Sequence, residues 1–83
     1  ESHFLKNIIY YPNPANDVLN VEVESESEYT EFEILNTVGQ SMLQGRLNGK
    51  SINQLDISKF KSGIYLLSVK TTENTVFHKF IKN

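Results

Sequence analysis

The segment Leu55-Asp56-Ile57-Ser58-Lys59-Phe60-Lys61-Ser62-Gly63-Ile64-Tyr65-Leu66-Leu67-Ser68-Val69 decides how the rest of the chain is read. From Gly63 onward it alternates: Tyr65, Leu67 and Val69 fall on one side, Ile64, Leu66 and Ser68 on the other. Period two is the signature of a strand. One face is wholly apolar, and the other is apolar only at its start, before Ser68 and Lys70. Such a strand belongs in the middle of a packed sheet, with Phe60 closing the core edge just ahead of it. The first half of the segment is a connector. Ser58 is placed to cap a single helical turn over Lys59 to Ser62 through its hydroxyl. Gly63 would end that turn in a left-handed conformation that a Cβ resists.

Beyond this strand, Glu73-Asn74 closes a hairpin and Val76 to Ile81 forms the last strand. The apolar residues there (Val76, Phe77, Phe80, Ile81) do not alternate cleanly, so its facing is open. On the N-terminal side, Asn48-Gly49 is a two-residue hairpin signal because both residues tolerate positive φ. It would pair Gln40 to Leu47, with Leu43 and Leu47 on one face and Gly45 between them, against Ser51 to Ile57. Asn36-Thr37-Val38-Gly39 fits a type I turn, with Asn first and Gly fourth.

Further back, Leu19, Val21 and Val23 alternate with Asn20, Glu22 and Glu24, and Phe32 and Ile34 with Glu31 and Glu33. The acidic stretch Ser25-Glu26-Ser27-Glu28 reads as a turn joining these two strands in a hairpin, where facing glutamates would repel. Ile8 to Tyr11 is a short strand stopped by Pro12-Asn13-Pro14, whose prolines lack ladder donors and make a stiff, extended corner. Ala15-Asn16-Asp17 then turns the chain. About seven short antiparallel strands and no helix beyond one turn predict an all-β fold, a small β-sandwich.

The 83 residues suffice for one domain, here 8–83 after a linker remnant at 1–7. There is no cysteine, so neither disulfides nor thiolate metal sites contribute. The longest apolar runs, Ile8 to Tyr11 and Ile64 to Leu67, fall far short of the ~20 residues of a membrane-spanning helix. No charged-then-apolar start resembles a signal peptide, so any export address is elsewhere or is the domain itself. The net charge of −2 is unevenly spread. Residues 1–33 hold eight acids against Lys6, and residues 34–83 hold seven bases against Asp56 and Glu73, giving −7 and +5. No basic field dominates, which argues against nucleic acid. An electrostatic dipole is one reading of the asymmetry, and solvated strand faces of opposite sign are the other.

Catalysis finds little support. His78, Asp17, Asp56 and many serines are available, but no serine stands in a Gly-x-Ser-x-Gly context. His78 reads as a surface residue. Asn13, Asn16 and Asp17 cluster oxygen donors as a calcium loop would, yet only one is charged and all three are ordinary turn formers. No phosphate-cradling glycine loop or metal-spaced histidine pair occurs. Tyr10 and Tyr29 could contribute to a sugar-binding platform, while Tyr11 and Tyr65, beside apolar runs, read as core.

Four segments together resemble one family, the type A C-terminal sorting domain of proteins exported by the type IX, or Por, secretion system. They are Tyr11-Pro12-Asn13-Pro14 with Asp17 to Val21 behind it, Asn36-Thr37-Val38-Gly39-Gln40, Leu55-Asp56-Ile57 through Gly63-Ile64-Tyr65, and Lys79-Phe80-Ile81-Lys82. Any one is weak; their order and spacing over residues 8 to 82 are specific. Phe60 stands where leucine is more usual, and Asn83 trails the usual terminal lysine. The resemblance implies an Ig-like sandwich at the end of a larger cargo protein. It further implies recognition in the periplasm, passage through an outer-membrane translocon, and removal by a sortase-like protease near or upstream of residues 1–7. The protease commonly attaches the cargo to an anionic lipopolysaccharide at the cell surface. Carried onto this chain, recognition would involve Gly63 and Tyr65 with Lys79, Phe80, Ile81 and Lys82. Pro12, Asn13, Pro14, Gly39, Gln40 and Asp56 would be scaffold. The expectation is that Lys79, Lys82 and the free edge of the last strand touch the receptor. No enzyme activity, cofactor, metal, nucleic acid or membrane-spanning segment is expected. The alternative, from another class, is an accessory Ig-like or fibronectin-like module that binds carbohydrate or spaces domains.

Overall fold

The computed structural model describes residues 5–25, 30–49, 51–71 and 74–83. Among them run seven strands: β1 (Leu5–Tyr11), β2 (Val18–Ser25), β3 (Thr30–Leu35), β4 (Ser41–Arg46), β5 (Ile52–Asp56), β6 (Gly63–Thr71) and β7 (Thr75–Lys82). They form two antiparallel sheets, ordered β1-β2-β5 and β4-β3-β6-β7. The apolar sides of the alternating strands meet between the sheets. Leu19, Val21, Val23 and Leu55 come from one, and Phe32, Ile34, Tyr65, Leu67, Val69 and Phe80 from the other, all buried. Each such side chain contributes about 1.5–3 kcal/mol by leaving water. The expected sandwich is therefore present, with β6 inside its sheet and Phe60 packed at the core edge, 5.0 Å from the Tyr65 ring.

Both expected early hairpins are absent, because the chain changes sheet at each. β2 pairs with β1 and β5, while β3 lies between β4 and β6. This order sets Glu31 opposite both Arg46 and Lys70. A β2–β3 hairpin would have set glutamates against glutamates. The turn proposed at Ser25 to Glu28 extends outside the described residues, as does Glu73 of the final hairpin. That hairpin itself forms: β6 pairs β7, and Thr71 N–H donates to Asn74 O at 2.8 Å.

At Asn48-Gly49 the chain likewise crosses from β4 to β5, which pairs with β2. Neither residue has positive φ. The Asn53 side chain shapes this crossing: Oδ1 accepts from Asn48 N–H at 2.8 Å, and Nδ2 donates to the carbonyls of Val21, Asn48 and Ser51.

The connector before β6 is one β-turn and not a helical turn, closed by Phe60 N–H donating to Ile57 O. Its cap is Asp56, whose Oδ1 accepts from Ser58 N–H at 3.0 Å. The two hydrogen bonds from Ser58, side chain then backbone, hold the Asp56 carboxyl below its ordinary 3.8. A carboxylate is the stronger acceptor and already sits two residues ahead, so Ser58 donates where it was expected to accept. Gly63 has φ +154°, an extended backbone of the wrong sign for a side chain, not the left-handed helical form expected.

β7 resolves into a clean alternation. Val76, His78, Phe80 and Lys82 face inward or lie half-buried, while Phe77, Lys79 and Ile81 face out. Each apolar doublet splits, one member to each face. In β1, Ile8 and Tyr10 turn toward the core. Tyr11, expected in the core, instead donates to Glu22 Oε2 at 2.5 Å on the outer face. That bond to Glu22, more than burial, raises the phenol above its ordinary 10.0.

Candidate functional site

The register brings all four signature segments to one end of the sandwich. Tyr11 ends β1 opposite Asn20, Val18 starts β2 opposite Asp56, Gly63 starts β6 opposite Lys82, and Leu35 ends β3 opposite Leu66. The corner at 12–17, the turn at 36–40, the connector at 57–62 and the end of β7 are therefore neighbours. Leu5, opposite Ser25, lies at the other end. Six strand steps of about 3.3 Å put it about 20 Å from Tyr11.

The turn at 36–40 is built by Asn36. Its Oδ1 accepts from Val38 N–H (3.1 Å) and Gln40 N–H (2.9 Å), its Nδ2 donates to Gln40 Oε1 (2.8 Å), and Gly39 N–H donates to Asn36 O. Gly39 takes φ +87°, which explains glycine there. The predicted turn, with Asn36 first and Gly39 fourth, is present.

The corner and the terminal strand are tied together. Tyr11–Pro12 and Asn13–Pro14 are both cis, and the corner is bent where an extended one was expected. Ala15, fully buried, makes a parallel bridge to Lys82: its N–H donates to Ile81 O at 2.7 Å, and its O accepts from Asn83 N–H at 2.8 Å. Asn13 Oδ1 accepts from Ile81 N–H at 2.9 Å, Asn16 Oδ1 accepts from Asn83 Nδ2 at 3.1 Å, and Tyr10 OH donates to Lys79 O at 2.9 Å. The outer edge of β7 from Lys79 to Asn83 is thus satisfied from within the molecule. It is not the open edge the sequence suggested for strand addition. The two asparagine oxygens considered for calcium are also spent on this latch.

The expected recognition residues divide sharply. Lys79 and Ile81 project outward. Phe80 is fully buried beside Tyr65 (ring centroids 5.8 Å apart), and Tyr65 OH donates to Lys61 O at 2.7 Å. Lys82 is only 7% exposed, its stem packed inward and its Nζ donating to Asn83 O at 3.1 Å. Gly63 provides backbone only. The sequence reading missed Ala15, Ile64 and Leu66 as parts of this end. The apolar start of the second face of β6 was the available signal for Ile64 and Leu66.

Other candidates contribute no machinery. His78 is half-buried, with its ring 5.2 Å from that of Tyr10, and Asp56 is engaged by Ser58. Tyr10 packs against the core and offers no sugar platform, and Tyr29 lies outside the described residues. A cavity of about 260 Å³ on the outer face of the larger sheet is lined by Glu31, Glu33, Gln44, Arg46, Ser68 and Lys70 among others, toward the other end. Among the described residues no cluster of three histidines or carboxylates gathers for a metal, and no helix is long and apolar enough to cross a membrane.

The chain is 40% identical over 72 residues to Beta-agarase D of Zobellia galactanivorans, covering 86% of this chain and 14% of that protein. It is 28% identical over 69 residues to an Endo-acting ulvan lyase of Formosa agariphila, covering 83% and 13%. It is 29% identical over 84 residues to Ulvan lyase NLR42 of Nonlabens ulvanivorans, covering 100% and 16%. The chain therefore spans about one seventh of the length of the curated relatives it matches. The family described as the secretion system C-terminal sorting domain matches residues 9–83. By that match the chain belongs to the type IX secretion C-terminal sorting domains, a family of sorting tails and not of catalysts.

Proposed function

We propose that this domain serves as an address read at its signature end: it directs the larger protein carrying it from the periplasm through the type IX outer-membrane translocon. A sortase-like protease then cuts in or before residues 1–7, and the cargo remains on the cell surface or is released. Export to the surface or the extracellular space follows from the family itself. The observation that supports the rest is the polarity of the fold. The four signature segments share one end, and β1 begins at the other. A cargo joined ahead of β1 would leave the signature end accessible to a receptor.

Lys79 and Ile81 are the two exposed side chains of the terminal signal. Phe80 and Lys82, facing inward, give it shape. The agarase and the ulvan lyases match over so small a share of their length that their chemistry is not carried across to this chain's cargo.

The test fuses residues 1–83 to the end of a periplasmic reporter and compares cells with and without the translocon. Export that requires both the domain and the translocon is the expected result. Equal export in both strains, or equal export without the domain, overturns the proposal. Deleting 79–83 is a poor probe, since it removes buried Phe80 and the Gly63–Lys82 pairing.

A further inference from the structure

The outer face of the larger sheet changes character along its strands. Away from the signature end it carries the charged row Arg46, Glu31 and Lys70. Toward the signature end, β6 and β7 present Ile64 opposite Ile81 and Leu66 opposite Lys79, and Phe77, opposite Ser68, carries the apolar surface past the middle of the pair. Ile64 is 46%, Phe77 58% and Ile81 44% exposed. Clustered large apolar side chains left in water on one face mark an interaction surface. None of them is needed by the core, which β6 fills with Tyr65, Leu67 and Val69.

Resting on the sorting reading above, we infer that this apolar half-face (Ile64, Leu66, Phe77 and Ile81 around Lys79) is the surface on which the translocon's receptor docks. The partner is a protein presenting an apolar patch with a carboxylate opposite Lys79. Charge selects this occupant. Lys79 is the one charged side chain on the outward side of the β6–β7 pairs from Gly63 to Ser68. In a twofold contact whose axis passes through Lys79, the charged residue at the centre of the patch, Lys79 meets its own symmetry mate, which costs energy. A membrane surface calls for several basic residues, and this half-face has one beside exposed aliphatics. The attached cargo joins at β1, which belongs to the other sheet and starts at the far end. Docking by strand addition along Lys79 to Asn83 is blocked, because Tyr10, Asn13 and Ala15 already occupy that edge.

The experiment is done in the complete polypeptide that carries this domain, in its own cells. The triple variant Ile64→Thr/Phe77→Thr/Ile81→Thr keeps strand-favouring, β-branched residues while removing apolar surface. Ile9→Thr/Ile52→Thr makes a matched change on the smaller sheet. Export of the triple variant falls by at least about tenfold, as loss of a central apolar anchor implies. The paired control is exported like the unmodified chain. Lys79→Glu lowers export and Lys79→Arg restores it. Protease resistance of the retained triple variant shows that it is folded, and a photocrosslinker at position 77, but not at 52, captures a translocon protein. The inference is overturned if the folded triple variant is exported normally or if the control loses export equally. It is also overturned if position 77 crosslinks only to lipid, to cargo or to a second copy. Export of the unmodified chain in a translocon-deficient strain overturns the sorting reading instead, so the two failures are distinguishable.

Discussion

Two turns that look alike in sequence do different work. Asn36-Thr37-Val38-Gly39 and Asn48-Gly49 both start with asparagine and end with glycine. The first returns the chain beside itself, β3 against β4, and the second carries it from one sheet to the other. In the first, the asparagine side chain and a glycine at φ +87° hold the reversal locally. In the second, neither residue needs positive φ, and the geometry is held by Asn53, from the strand that follows. A turn motif thus specifies that the chain bends. Which strand it then meets depends on which apolar face still lacks cover.

If that contrast is right, the crossing fails most when the distant residue is removed. Asn53→Ala removes four hydrogen bonds, three to the Val21, Asn48 and Ser51 carbonyls and one from the Asn48 N–H. It should cost about 2–3 kcal/mol by chemical denaturation. A loss no larger than that of an exposed surface change would show that the crossing holds itself. Next in size, Gly39→Ala forces a Cβ into positive φ and should cost about 1–2 kcal/mol, although the space around it is open. Asn36→Ala removes the acceptor of two turn N–H groups that water can partly replace, a loss of about 1 kcal/mol. Gly49→Ala should fall within about 0.5 kcal/mol, since φ is ordinary and the nearest atom to a new Cβ is 3.9 Å away. A Gly49 effect as large as that of Gly39 would erase the distinction between the turns.

The smallest effect is expected at the third local cap, Asp56. Its folded-state pKa lies below the ordinary 3.8 because Ser58 donates to it. The group's stabilisation is present above pH 3.8 and is lost as pH falls through the lower folded value. Asp56→Asn should therefore lower stability slightly at neutral pH and flatten the acid limb, the two profiles converging at low pH. An unchanged acid limb would mean that Ser58 does not hold the carboxylate in solution.

Much of the site was legible for the same reason that the turns were. The alternation of Tyr65, Leu67 and Val69 is a local pattern, and so is the glycine at position 39. The inward facing of Phe80 and Lys82 was not, because apolar residues come in adjacent pairs along β7 and only packing against Tyr65 decides which of each pair goes in. The latch was invisible as well. Asn13 and Ala15 lie about seventy residues from the backbone they bond. Nothing at positions 12–17 distinguishes a clamp from a turn or from a weak cation loop.

The sequence by itself determined the strands, the buried faces of β2, β3 and β6, the bends between them and the family, because each rests on residues near one another in the chain. Tertiary structure decided the pairing order, the closing of the last edge by the corner, and the gathering of four separated motifs at one end. Those outcomes depend on two sheets covering each other's apolar faces while keeping glutamates beside bases. That balance is set across the whole molecule and is written in no single stretch of it.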